Sequence, residues 1–515
     1  MEKRAFPFSG LVVLWVALLI TCFALLLGAS SATAQVISIR SVPISQAHQF
    51  ELFPSLNRAM GRVSIALADS LRDPLANPAW GSRVRAARIF GSPGVYSVSS
   101  QAGGGRTLPV GVLGRSGDWF GGVSIAAQQV DLSRRDQFQL PIPLPIVCPA
   151  VACGGGASEL NPADRTHGNS YAQALFGREF RDAGLSIGGS VSWAGLHAVD
   201  GVDLLYAGNA TIRQRGHAVD VRLGAVKALA GDRSVEAVLV HNRLATTHDV
   251  FYLDTFWNPA TQQFEQRTRL EPNLDHTNIW GLHLEYEQPL SRDGWRLGWA
   301  ATTNLMSHPK IPNYEIQNIP RDPGNSTAFN LGVGVSRTID ASTFGADLIV
   351  EPIWSYTWAD AAAPVETASG GTIPAGGKTT ENRFRFANAT LRMGFGQDIE
   401  FDRSTKALGL QVGLMVHRIH YSLDQQDNVE LTSRSLVEDW IEWTPTWGLS
   451  LRFPAWELRY TGSVVNGTGR PGVVQNFGRL DVASAGTILV APSGPLTLTP
   501  VKVMTHQIAV AFPLR

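Results

Sequence analysis

The residues that could do chemistry in this chain are charged, and they recur at a fixed spacing. Asp220 and Arg222 stand two apart, as do Glu285 and Glu287, and Glu457 and Arg459. Arg296 follows in the run after Glu287, Asp347 and Glu351 share one alternating stretch, and Arg392 and Arg452 sit in two more. Side chains at i and i+2 lie on one face of a strand, so each set is presented to a common side. Carboxylates facing Arg on such a surface form bidentate ion pairs, for which the planar guanidinium is better suited than the lysine ammonium. The residues are therefore read either as a salt-bridged wall or, more sharply, as a selectivity surface. Catalysis is not expected. No Gly-x-Ser-x-Gly elbow is present, and His217, His241, His248, His276 and His283 are scattered rather than spaced as metal ligands or as a triad. The chain also carries no phosphate-binding glycine loop, EF-hand loop or haem motif. The expectation is a non-enzyme with neither metal nor cofactor.

Strands must position these charges. In Ile279 to Leu305, Trp280, Leu282, Leu284 and Tyr286 alternate with Gly281, His283, Glu285 and Glu287. After a break at Leu290 to Gly294, Trp295, Leu297, Trp299 and Ala301 alternate with Arg296, Gly298 and Thr302. This is a hairpin with one Trp-rich apolar face and one polar, charged face. The pattern recurs: Val219, Val221, Leu223 against Asp220, Arg222, Gly224; Leu348, Val350, Trp354 against Asp347, Glu351, Ser355; Leu449, Leu451 against Arg452; Leu458, Tyr460 against Glu457, Arg459. Counted along the chain, these runs make sixteen strands, with fourteen as the close alternative.

The environment of the apolar face follows from the rest of the chain. Lys3 and Arg4 precede an apolar run from Leu11 to Leu27 and small residues at Ala32-Thr33-Ala34, the layout of a cleaved export signal over residues 1–34. Beyond residue 34 the chain has 41 basic and 42 acidic residues, so no nucleic-acid partner is expected. An exported chain meets an oxidising compartment, and Cys148 and Cys153 are read there as a small disulfide loop. A second Cys/His pair that would make them a metal site is missing nearby. No second apolar run is long enough for a helical span. Short charged turns alternate with connections of up to about forty residues, and Trp or Tyr stands near the ends of the apolar runs; short turns, long loops and aromatic girdles together mark a transmembrane barrel. Lipid offers the backbone no hydrogen-bond partner, so such a sheet must close. The fold expected is all-β: a transmembrane antiparallel barrel of about 14–16 strands over residues 84–515, with long extracellular loops, in the outer membrane of a Gram-negative cell.

Residues 35–83 do not alternate. They hold Ala59-Met60-Gly61, then Ala66-Leu67-Ala68-Asp69, then Asn77-Pro78-Ala79 just before the first strand. This order resembles the N-terminal region of the FadL-type outer-membrane proteins. That family includes fatty acid and aromatic hydrocarbon transporters and distant relatives that serve protein secretion. The resemblance covers about 25 residues and departs from the family at Trp80, where glycine is usual. It implies that 35–83 is a plug, or hatch, inside the barrel, with Met60, Gly61, Asp69, Asn77, Pro78 and Ala79 as its gating residues. It further implies a passive channel for small hydrophobic solutes, against which stand a scaffold or secretion-associated role and a general porin. The family's barrel has 14 strands, fewer than the sixteen counted here. The Gly91-Ser92-Pro93-Gly94 stretch reads as a kink that weakens strand pairing. The last strand, ending at Phe512, looks like an outer-membrane assembly signal, so the expected partners are membrane lipid, the barrel-assembly machinery and a small hydrophobic ligand.

Overall fold

A computed structural model describes residues 48–50, 52–69, 73–84, 86–100, 103–131, 166–199, 209–258, 260–290, 293–308, 324–361, 363–402, 406–471 and 498–514. The expected export signal at 1–34 and the expected Cys148–Cys153 loop lie outside the described residues.

The alternating runs form one antiparallel sheet that closes on itself. Its seventeen segments make sixteen strands, because Arg88–Gly91 and Gly94–Val98 are two halves of one interrupted strand, β1. In chain order the others are β2 (Gly104–Ser116), β3 (Trp119–Asp131), β4 (Thr166–Phe180), β5 (Leu185–Leu196), β6 (Asn209–Leu229) and β7 (Arg233–Asn258). Then come β8 (Gln263–Pro289), β9 (Trp295–His308), β10 (Gly324–Ile339), β11 (Ser342–Asp360) and β12 (Lys378–Asp402). The last four are β13 (Lys406–Asp427), β14 (Thr432–Arg452), β15 (Glu457–Pro471) and β16 (Leu498–Pro513). Each strand pairs with its chain neighbour, and β16 pairs with both halves of β1, Phe512 opposite Ile89 and Thr505 opposite Tyr96. Closure satisfies every strand edge, which an apolar surround requires. The count is sixteen rather than the fourteen of the family resembled.

Parity sorts the two faces. On β8 and β9, Trp280 and Trp299 are each about half exposed, at 51% and 52%, while Thr302 and Asn304 on the opposite parity are buried. The same holds for Leu348 and Val350 against Asp347, and for Leu410 and Val412 on β13. Fully burying one such side chain is favourable by about 1.5–3 kcal/mol, so a band of dozens of them makes water untenable as the outer medium. The exposed face is the lipid face, and the charged parity lines the lumen. The connections between strands are short at one end, spanning 117–118, 181–184, 230–232, 290–294, 340–341, 403–405 and 453–456. All the long connections leave from the other end.

Strand β1 starts at Arg88 and breaks at Ser92-Pro93. Proline has no N–H to give a ladder. The neighbours partly bridge the gap: Ser92 N donates to Pro109 O at 3.1 Å, and Ile508 N to Pro93 O at 2.9 Å. Before β1, the described residues between 48 and 84 form only short helical turns, the longest being Asp73–Ala76 and Pro78–Arg83.

Candidate lumenal site

The N-terminal segment packs on the inward faces of the strands. Its own organiser is Asp69, whose Oδ2 accepts from Ser55 Oγ at 2.5 Å, Leu56 N at 2.7 Å and Asn57 N at 3.2 Å. Asn57 Nδ2 donates to Leu67 O at 2.9 Å, which closes the loop around that carboxylate. Asn77 caps the turn at Pro78–Arg83: its Oδ1 accepts from Ala79 N at 3.1 Å, and Pro78 occupies the first position, where a missing N–H is harmless. Met60, Asp69, Asn77 and Ala79 are all at most 2% exposed, and Gly61 and Pro78 are buried. All six residues expected in a plug therefore lie at the junction of this segment with itself or with the wall.

The wall is cut to receive it. Gly61 has φ +66°, a left-handed conformation that side chains resist, and its N donates to Thr446 Oγ1 at 2.9 Å. Thr446 Oγ1 in turn donates to Ala59 O at 2.8 Å. A Cβ added at Gly413 would lie 2.0 Å from Gly61 N, and one at Gly298 would lie 2.2 Å from Ile65 O. Lumen-facing glycines are thus points of backbone-to-backbone approach.

The lumenal charges divide by what they touch. Three hold the segment. Asp347 Oδ2 accepts from Ser64 N at 2.7 Å and Ile65 N at 3.4 Å. Arg392, its cross-strand neighbour, reaches Arg62 O at 3.4 Å and Ser64 Oγ at 3.3 Å. Arg222 pairs with Asp220 at 2.6 Å and donates to Ala76 O at 2.9 Å. The others pair along the wall: Glu287 with Arg296, which also meets Asp232 at 2.7 Å; Glu457 with Arg459; Arg452 with Asp398. Glu351 and Glu285 pair with imidazoles rather than with Arg, Glu351 with His417 at 3.3 Å and Glu285 with His283 at 3.4 Å. Sequence reasoning missed Glu236, whose Oε2 accepts from Asn77 Nδ2 at 3.0 Å and from Trp80 Nε1. Its signal was present, since Glu236 alternates with Val235 and Ala237. Thr446 and Ser336, which donates to Ala66 O, carried no such signal because short hydroxyls are common on any polar strand face.

Towards the long-loop end the face rule inverts. Phe384 and Phe386 on β12, Tyr421 and Leu423 on β13, and Ile279, Met306 and Ile353 on β8, β9 and β11 form one buried apolar cluster on the lumenal parity. Leu436 and Trp440 of β14 pack against it. Phe384 and Phe386 lie next to Arg383 and Arg385, which face out with Arg418 and Asp439. Arg418 pairs with Asp439 at this rim. Beyond the lipid band, then, charge is outside and apolar surface inside. That cluster was not foreseen, because an alternating run of aromatics and Arg reads the same from either face.

With that geometry established, likeness to known proteins adds little beyond the barrel itself. No family model matches the chain, and no curated protein matches it either. Among solved structures it is similar to a FadL homologue from Pseudomonas aeruginosa, at 12% identity and a TM-score of 0.42, covering 90% of this chain and 99% of that one. It is similar to the toluene transporter TodX from Pseudomonas putida at 10% identity and a TM-score of 0.33, covering 88% and 96%. It also resembles CdiB from Escherichia coli at 10% identity and a TM-score of 0.40, covering 82% of this chain and spanning only 63% of the length of that protein. The chain has the fold of an outer-membrane β-barrel.

Proposed function

We propose that the protein is an outer-membrane channel for small hydrophobic solutes whose lumen is closed by its N-terminal segment. The observation that carries this reading is the apolar lumenal cluster around Phe384, Phe386 and Tyr421, above a segment bound to the wall. Barrel interiors are ordinarily polar, so an aromatic patch inside the mouth is suited to an apolar solute arriving from outside. The segment 35–83 then acts as the plug, with Met60 to Asn77 seated on the wall and released to open. The short turns, the start of β1 at Arg88 and the end of β16 at Pro513 belong on the periplasmic side. The interrupted strand β1 supplies a weak point in the wall beside Leu52, whose O accepts from Ser92 Oγ at 3.3 Å. The C-terminal strand β16 would be the part read by the assembly machinery.

The test is uptake of a labelled aromatic hydrocarbon or fatty acid by proteoliposomes, alongside single-channel conductance in planar bilayers. Saturable uptake of the apolar solute with low conductance supports the proposal. High conductance of the intact protein would make it a general porin. A closed barrel that moves no apolar solute would favour a scaffold role.

A further inference from the structure

Glu236 on β7 and Glu285 on β8 stand directly opposite each other in the antiparallel register, and both face the lumen. Like charges so placed repel. His283, two residues before Glu285 on the same face, brings its Nε2 to 3.3 Å from Glu236 Oε1 and 3.4 Å from Glu285 Oε2. One nitrogen or oxygen atom from each of the three side chains lies within 4.8 Å of the other two. The rear of the group is held. His283 Nδ1 is 2.8 Å from Thr302 Oγ1, and Glu236 Oε2 accepts from Asn77 Nδ2 at 3.0 Å and from Trp80 Nε1. Of the neighbouring guanidinium groups, Arg296 is engaged on Glu287 and Asp232, Arg222 on Asp220 and Ala76 O, and Arg83 lies over the Trp80 ring at 3.5 Å.

We propose that Glu236, His283 and Glu285 form a binding site for a divalent transition metal of the zinc class, with a fourth position left to water. Three arguments support it. In a tetrahedral site with ligands at about 2.0–2.1 Å, neighbouring ligand atoms are about 3.3–3.4 Å apart, which matches both separations at His283 Nε2. One imidazole with two carboxylates is a donor set zinc accepts, whereas calcium takes six to eight oxygens and magnesium a near-ideal octahedron. The hydrogen bond from the far ring nitrogen to Thr302 is the kind of outer contact that orients a ligating imidazole. A cation here would remove the repulsion between the two carboxylates. Because Glu236 also holds Asn77 and Trp80, the metal would fix the wall at the point where the N-terminal segment attaches. The site stands whether or not an apolar solute passes.

The experiment uses the full-length protein without a histidine tag, in detergent, stripped with a chelator and titrated with Zn2+ by calorimetry. One equivalent should bind, and Co2+ in its place should give the visible absorption of a four-coordinate ion. Glu285→Gln and His283→Ala should weaken Zn2+ binding at least about tenfold, and Thr302→Val by about 10–100-fold, as loss of an outer-shell contact does. Glu287→Gln, next along the same face but paired with Arg296, should leave it unchanged. Heat-modifiable mobility confirms that each variant is folded; should His283→Ala fail, the near-isosteric Glu285→Gln decides. No stoichiometric uptake by the wild type, or uptake unaltered by Glu285→Gln, overturns the proposal.

Discussion

Asp347 is the residue through which the barrel grips its N-terminal segment most directly. It is 1% exposed and accepts from two consecutive backbone N–H groups, Ser64 and Ile65. Hydrogen bonds to a charged group are worth about 1.5–3 kcal/mol each, and removing the carboxylate also leaves Arg392 without its neighbour across the strand. Breaking one partner of a buried charged set typically costs about 3–5 kcal/mol. Asp347→Ala is therefore expected to leave the sheet intact and free the segment. A cysteine placed at Ser64 should then label with a membrane-impermeant maleimide several times faster than in the parent, with heat-modifiable mobility retained. Equal labelling rates would show that the segment is not held at this point. Gly413→Val tests the same seating by sterics alone. Its Cβ would fall 2.0 Å from Gly61 N, backbone against backbone, so the segment must move while the lipid face of β13 is untouched. The same labelling rise is expected, and unchanged labelling would mean that β13 yields instead.

At the scale of the element, the β8–β9 hairpin shows what alternation decides and what it leaves open. Leu284 stands between Ala237 and Ala301 in register, with Trp280 and Trp299 on the same lipid-facing parity. A charge there should cost about 2–4 kcal/mol if it lies at the bilayer midplane. Leu284→Arg should shift the urea midpoint for folding into liposomes downwards accordingly, while the apolar swap Leu284→Ile should not. Full tolerance of Leu284→Arg would remove lipid from that face. The barrel was legible because such runs repeat with period two and the turns differ in length at the two ends. The positions of Met60, Gly61, Asp69, Asn77, Pro78 and Ala79 were legible only through a likeness, since nothing in their own spacing says that Asp69 folds the segment on itself. Glu236 and His283 were harder still. They come from different strands, and only the register that sets Glu236 against Glu285 brings the imidazole between two carboxylates. Phe384 and Phe386 were out of reach for another reason: parity says which side chains share a face, but the identity of that face changes where the strand leaves the lipid.

For the whole molecule the question is whether closing the lumen and admitting an apolar solute are two properties or one. The segment is attached by Asp347, Arg392, Arg222 and Thr446 on strands well separated around the barrel, so it bridges the lumen rather than lining one side. The apolar cluster belongs to β8, β9 and β11 to β13, above that bridge. If solute capture and gating are separable, deleting residues 35–83 should raise single-channel conductance by an order of magnitude or more while the barrel still assembles. Phe386→Asp should do the opposite. It puts a charge into a buried apolar cluster, where an uncompensated charge is strongly disfavoured, and so should lower apolar-solute uptake without opening the channel to ions. The pair of measurements is decisive because each variant acts on one level of the lumen. Phe386→Asp raising conductance as much as the deletion would mean that the aromatic cluster is part of the closure itself, and that the mouth and the segment move as one body.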